Sequence, residues 1–194
     1  MEDAWTVLKD HHKLHVAKID SLVYESGDLI EKIFKKTKRL LFWKFKRQLN
    51  LFSSELILDQ FLEKKIPNIA IEYIDSLVGY GVFAQEKIPA FAFLGEYVGL
   101  VRKRTPKIDS NNDYIFRYLT VGFFQSLIID AETMGNFTRF INHSSNPNLS
   151  SRFIVHEGQY HIVFITNRRI EKGEQLTYDY GPTYWSGRAS PLEF

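Results

Sequence analysis

The residues with the types and spacing to do chemistry fall in two strings. Arg139 to Asn148 reads RFINHSSNPN, and about thirty residues later Gly173 to Gly181 reads GEQLTYDYG. The first follows a short apolar run with Asn142 and His143 and then with Ser-Ser-Asn-Pro-Asn, side chains that favour turns over regular structure. It reads as a loop that a core element delivers to one place. The second alternates Leu176, Tyr178 and Tyr180 against polar neighbours after a Lys-Gly turn, so two phenol rings leave the same side of a strand. Paired phenols exclude water with their rings and make hydrogen bonds with their hydroxyls. Taken singly, each of these tyrosines reads as a core aromatic, and Asn142 and His143 read as caps of the preceding turn. A hydrolase built from Ser144 or Ser145 with His143 is a poor alternative, because adjacent residues seldom point at one another and no nucleophile elbow is present.

The elements that must position these residues come in two styles. Residues 1–66 read as helix: Val7, Leu8, His11, His12, His15 and Ile19 recur near helical spacing, and an apolar stripe runs from Leu29 to Leu49. Ser26-Gly27-Asp28, with Glu31 three residues after Asp28, marks the start of the second helix. His11 and His15 share a helix face and could in principle hold a metal, but an ordinary helix surface is the simpler reading. From Asn68 the period changes to two. Ile69, Ile71 and Tyr73 alternate, and Gly79-Tyr80-Gly81 lets the backbone turn sharply and approach a ligand where a Cβ would obstruct. Phe91 to Val98 is expected to form a strand, as are Tyr114 to Val121 and Phe123 to Ile129 about Val121-Gly122. Phe153 to Val155 should pair with His161 to Ile165, and Gly135 to Thr138 should lead a short helix into the Asn-His loop. Arg102 to Asn112 reads as an exposed loop.

A chain of 194 residues is expected to form one domain with a helical appendage. The 16 Phe and 10 Tyr favour a strand-rich core with aromatic-lined pockets. With no Cys, disulfides are excluded and any zinc site would need His and carboxylates, so no metal is expected. The start at Met1-Glu2-Asp3-Ala4 is not a secretory leader and no stretch approaches a membrane span, so an intracellular, cytoplasmic protein is expected and the sequons at Asn136 and Asn148 are chance matches. Eight of the 25 Lys and Arg lie between Lys32 and Arg47 with no acid among them, which leaves 17 bases against 23 acids elsewhere, a net of −6 beside the overall +2. That basic helix is either a solvated face or a docking element for nucleic acid, an anionic membrane surface or an import receptor.

The two strings together resemble the signature motifs of the SET-domain protein lysine methyltransferases, close to RFINHSCxPN and GEELTYDYG. SLVGYGVFA (Ser76 to Ala84) is similar to the family's glycine-rich opening, GEYVG (Gly95 to Gly99) to its second strand and DYIF (Asp113 to Phe116) to the segment before its middle hairpin. The resemblance covers roughly the last 125 residues, and the Cys-free form is more like the short SET proteins of intracellular bacteria, chlamydiae in particular. Ser145 stands where zinc-bound members carry a cysteine.

The resemblance implies a mainly β fold with α elements: small antiparallel sheets, with the C-terminal segment threaded beneath the Asn-His loop as a pseudoknot. The expected divisions are a helical region at 1–66, the SET domain at 67–182 and a zinc-free tail at 183–194. The implied activity is transfer of methyl from S-adenosylmethionine to lysine of a basic protein, most plausibly a histone or histone-like protein drawn to an acidic body, mainly to monomethyl-lysine. In a bacterial effector the target could be host chromatin, after secretion into the host nucleus. Tyr180 would be the catalytic tyrosine, Tyr97 would line the lysine channel, and Tyr178 would limit the number of methyl groups. The cofactor would be bound by Asn142 and His143 at the adenine, by Gly79, Tyr80 and Gly81 at the amino-acid end, by Tyr114, Arg139 and Tyr180 along its border, and by Tyr184 or Trp185 over the adenine. Residues 102–112 would form the variable insert of the peptide groove. The rival is a non-catalytic SET scaffold that binds chromatin, nucleic acid or a partner through Lys32 to Arg47.

Overall fold

A computed structural model describes residues 15–43, 54–121, 125–186 and 188. Among these, the strands form four small sheets around one main core, with a second apolar cluster on the outside. The expected helix over residues 15–26 is not found. Instead Ala17–Lys18 (β1) and Val23–Tyr24 (β2) are short strands, and the first described helix is Gly27–Trp43 (α1), followed by Ser54–Leu62 (α2). The cause is tertiary: β1 runs parallel to Met134–Gly135 (β9), and β2 runs parallel to Leu100–Lys103 (β6). Partners more than seventy residues away override the local helical pattern.

Helix α1 begins within a residue of the expected cap. It buries Leu29 and Ile33 in the main core, and Ile33 is fully inaccessible. The Phe34 ring lies against Gly158, where an added Cβ would come within 2.5 Å of it. Lys32 and Lys35 remain exposed, so this stretch of the basic run is a solvated face over an apolar one. Side chains beyond Thr37, including the rest of the run to Arg47, lie outside the described residues, as does His11. Val16, Leu29 and Ile33 belong to the same apolar cluster as Val82, Leu94 and Phe164.

The strand expectations hold with small shifts. Ile69–Asp75 (β3) pairs with Gly79–Ala84 (β4), and Phe93–Glu96 (β5) follows. The short helix Pro106–Asp109 (α3) interrupts the expected loop. Ile115–Val121 (β7) and Gln125–Asp130 (β8) form the middle hairpin. Leu149–His156 (β11) and Gln159–Thr166 (β12) pair across Glu157 and Gly158, both at positive φ (49° and 77°), as a two-residue hairpin turn requires. Helix α2 covers this second sheet through Ile57, against Phe93, Ile154 and Val163.

The C-terminal strand Gln175–Tyr178 (β13) lies inside a sheet. It is antiparallel to β4 on one side and parallel to Asn142–His143 (β10) on the other, with Asn142 opposite Thr177 and His143 opposite Tyr178. The side-chain amide of Asn148 stands in for a further strand neighbour. It donates to the Gln175 carbonyl at 2.8 Å and accepts from the Thr177 N–H at 2.9 Å. The Asn-His loop thus closes over the C-terminal segment, which is the threading the resemblance implied. No described helix is long and apolar enough to cross a membrane.

If α1 is integral to the core, Ile33→Ala should cost about 2 to 5 kcal/mol, the usual range for such a buried truncation. Urea unfolding measures it, and a loss below about 1 kcal/mol would make the helix peripheral.

Candidate active site

The two phenols meet where β13 ends. Tyr178 is the last residue of the strand and Tyr180 lies just past it, with ring centroids 4.7 Å apart. Tyr178 is wedged between Phe164 (4.7 Å) and Phe116 (6.0 Å, nearly parallel at 16°), and Tyr180 meets Tyr184 edge-on at 4.6 Å. Both line a groove of about 300 Å³ that also takes in Arg104, Arg117, Tyr184 and Arg188. Tyr97 stands behind the groove wall, 4% exposed, with its ring 5.2 Å from Phe116.

The hydroxyls have a defined polarity. Tyr180 donates to the Ile141 carbonyl at 3.0 Å, and Tyr97 donates to the Tyr114 carbonyl at 2.8 Å. With its proton so committed, the Tyr180 oxygen keeps lone pairs that can accept from an incoming N–H, while Tyr97 lies behind the wall. Burial, reinforced at Tyr180 by Tyr184, pushes the Tyr97, Tyr178 and Tyr180 phenols well above their usual range. Tyr184, nearer the surface and beside Asp113, is pushed up to about 12. None of them is a phenolate near neutrality, so none can act there as a base.

Tyr180 connects the groove to the Asn-His segment. Its backbone N–H donates to His143 Nδ1 at 3.2 Å, which makes Nδ1 an acceptor and places the neutral ring's proton on Nε2. The Trp185 ring lies 4.8 Å from that of His143 and nearly parallel to that of Tyr180 at 6.2 Å. The Trp185 Nε1–H is buried without a partner among the described residues. Asn142 donates through Nδ2 to the Tyr80 carbonyl at 2.9 Å, tying the loop to the Gly-Tyr-Gly strand. Gly79 has φ of +79° with open space around it. At Gly81, a Cβ would stand 2.7 Å from the Gln175 side chain, so this glycine makes room for the β13 packing.

Arg139 and Tyr114 are brought together. The Arg139 guanidinium lies 3.8 Å above the Tyr114 ring centroid and donates from Nε to the Ala131 carbonyl at 2.8 Å. Burial lowers its pKa, and Tyr114 opposes that shift. The His15 and Lys32 to Thr37 candidates lie outside the groove lining. Among the described residues no three His, Asp or Glu side chains gather as a metal site would require.

Sequence reasoning missed two side chains that shape this groove. Phe116 belongs to a Tyr114, Phe116, Tyr118 alternation that could have flagged it. Arg188 donates to Asp113 Oδ1 (3.2 Å) and to the carbonyls of Tyr184 (2.8 Å), Ser110 and Asn112 (both 3.2 Å), so it staples the insert to the short helix Pro182–Trp185 (α4). The groove also differs in sign from the acidic surface expected to attract a lysine-rich segment, since Arg104, Arg117 and Arg188 outnumber Asp109 and Asp113 along it.

Residues 79–181 match the SET domain family. Histone-lysine N-methyltransferase 2B of Homo sapiens is 41% identical over 116 residues, which is 56% of this chain and 4% of that protein. Histone-lysine N-methyltransferase ASHH3 of Arabidopsis thaliana is 37% identical across 53% of this chain and 29% of its own length. The H3 lysine-4 specific histone-lysine N-methyltransferase of Schizosaccharomyces pombe is 38% identical across 52% and 11%. The chain thus spans less than a third of each of these relatives. Among solved structures, the crystal structure of KRYPTONITE in complex with mCHH DNA, H3(1-15) peptide and SAH is 33% identical with a TM-score of 0.49, covering 59% of this chain and 23% of that one.

The buried phenols give the fold an alkaline limit. An acid whose pKa is raised by folding contributes stability that is complete below the unfolded value, about 10 for tyrosine, and is lost as pH rises beyond it, because the unfolded chain then sheds protons that the fold retains. The urea midpoint should therefore be flat in this respect from pH 8 to 9.5 and fall above pH 10. A midpoint that holds to pH 11.5 would contradict the burial of these hydroxyls.

Proposed function

The chain belongs to the SET-domain family, and from that premise we propose that it is a protein lysine N-methyltransferase that uses S-adenosylmethionine. The observation that carries this reading is the place of Tyr180: it lines the groove, while its backbone and hydroxyl are fixed to His143 and Ile141 of the Asn-His segment. A single side chain thereby touches the substrate groove and the segment that the family uses for the cofactor. Residues 79–81, Asn142, His143 and Trp185 fit such a cofactor. The orphaned Trp185 Nε1–H beside His143 offers a donor to a purine-sized polar group, and the open space at Gly79 leaves room for the amino-acid end.

Held by residues 79–81, Asn142, His143 and Trp185, S-adenosylmethionine would supply an electrophilic methyl group to the lysine nitrogen, with the carbon–sulfur bond broken as the nitrogen–carbon bond is made. The chain's own residues must deliver a neutral amine in line. The rings of Phe116, Tyr178 and Tyr180, which line the groove, would remove water from the lysine and so lower its pKa. Its proton leaves to solvent, since no described tyrosine is available as a base. The oxygen of Tyr180, already donating to a carbonyl, accepts an amine N–H and so aims the amine lone pair, while Tyr97 supports the wall through Phe116. Alignment of this kind can remove several kcal/mol of the barrier.

The substrate is proposed to be a lysine of a histone or histone-like protein, a reading that the family membership and the names of the relatives support. Product multiplicity is assigned to Tyr178. It lines the groove next to Tyr180, so its hydroxyl can anchor a water in the volume that a second and third methyl group would need, and monomethyl-lysine should dominate.

Two experiments test this. Tyr180→Phe should reduce methyl transfer to histones from labelled S-adenosylmethionine by about 100-fold or more, the scale of losing one preorganised polar group. It should not shift the pH at which the rate rises, because the titrating group is the substrate amine; a shifted profile would make Tyr180 a base. For Tyr178→Phe, mass spectrometry of product after long incubation should show di- and trimethyl-lysine accumulating from a wild type that stops at one. An unchanged product distribution would place the limit elsewhere.

A further inference from the structure

The charges along the groove are not all occupied, and those left over share one sign. Strands β6, β8 and β7 are neighbours, with Arg102 opposite Ile128 and Ile128 opposite Arg117. Arg104 donates its N–H to the Ser126 carbonyl, which extends the same register by one pair. Side chains alternate between faces, so Arg104, Ser126, Ile128 and Arg117 project from one face of this sheet, and all four line the groove. The opposite face, with Val101, Leu127 and Ile129, is buried in the core.

Each acid at the groove already has its partners. Asp109 accepts from Arg102 at 2.6 Å and from the Thr105 N–H at 2.6 Å, and Asp130 beneath it takes Arg102 at 2.7 Å. Asp113 takes Arg188 at 3.2 Å and the Tyr184 hydroxyl at 3.3 Å. Arg102 and Arg188 are consumed in the same contacts. Arg104 and Arg117 are different: both are exposed, and among the described residues neither has an ion-pair partner. Their strands flank β8 and the two residues lie two positions apart along it, so their backbones are about 12 Å apart. Two long, planar, permanently charged side chains at that separation can reach the same carboxylate or grip two neighbouring ones.

We propose that Arg104 and Arg117 select substrates that carry an Asp or Glu beside the target lysine. This rests on the methyltransferase reading and narrows its substrate class: even within a basic protein, the methylated lysine has an acidic neighbour. A lysine flanked only by lysine and arginine would bring cations against two uncompensated guanidinium groups, whereas a flanking carboxylate satisfies them. The selection is electrostatic and partly solvent-exposed, so it weakens with salt.

The test uses the whole chain and three peptides that share a central lysine and differ only in the residues on either side of it: Asp or Glu, Ala, or Lys. At low ionic strength the wild type should give kcat/KM about 5- to 30-fold higher for the acidic peptide than for the alanine peptide, and lower still for the lysine-flanked one. The ratio should shrink as salt rises from 20 to 300 mM. In the Arg104→Ala/Arg117→Ala variant the acidic-to-alanine ratio should fall to about one, and Arg117→Glu should favour the lysine-flanked peptide. Because ratios are compared within one preparation, loss of folded protein does not mimic the effect. A wild-type ratio near one, or a ratio that survives in the double variant, overturns the proposal while transfer to all three peptides leaves the methyltransferase reading standing. Transfer to none of them overturns both.

Discussion

The structure depends on one strand being held on every side. Strand β13 is short, yet it is hydrogen-bonded to β4 on one edge and to β10 on the other, and the Asn148 amide closes the remaining positions at Gln175 and Thr177. A buried backbone group without a partner costs about 1 to 3 kcal/mol, so the interior of a sheet tolerates such a strand only when each group is met. The Asn148 side chain meets two of them. Tyr178 and Tyr180 inherit their placement from that closure, and so does the contact between Tyr180 and the Asn-His segment. Residues far apart in the chain meet here because one polar side chain imitates backbone.

The same apolar enclosure does two jobs at the site. It holds the tyrosine hydroxyls protonated, and it would strip water from a lysine that enters between them. These effects act on opposite kinds of group, since burial raises an acid that ionises to an anion and lowers a base that ionises to a cation. A proton is thus kept on oxygen and removed from nitrogen by one environment. Hydrogen bonds to the Ile141 and Tyr114 carbonyls then settle which way each hydroxyl faces. Arg139 belongs to the scaffolding of this arrangement: it sits over Tyr114 and holds the Ala131 and Glu132 carbonyls.

Much of this was legible along the chain. The period of two through Ile69, Ile71 and Tyr73, the Glu157-Gly158 turn and the alternation of Leu176 with Tyr178 each give a local signal, and the corresponding strands are present. The paired phenols could be foreseen from spacing, and the family motifs added the threading that no spacing rule supplies. What could not be read was non-local. Strands β1 and β2 have two residues each, too few for any periodicity, and are strands only because β9 and β6 lie alongside. Arg188 acts on carbonyls 76 and 78 positions away, which leaves no trace in residue spacing. The sign of the groove was likewise invisible in net charge, because Asp109 and Asp113 are neutralised by arginines that only the fold brings to them.

The interior position of β13 also bears on the order of assembly. Strands β3 and β4 can pair as soon as they are made, but β4 keeps a bare edge until residues 175–178 arrive, roughly ninety positions later. At synthesis rates of about 5 to 20 residues per second, that edge waits about 5 to 20 seconds. An unpaired edge of alternating apolar residues is a template for association with other chains. The nascent protein is thus most exposed to misassembly, and to capture by chaperones, in the interval before its own C-terminal motif emerges. The segment that carries Tyr178 is also the one that ends this interval, so a chain truncated before it would lose Tyr178, Tyr180 and its protection from aggregation together.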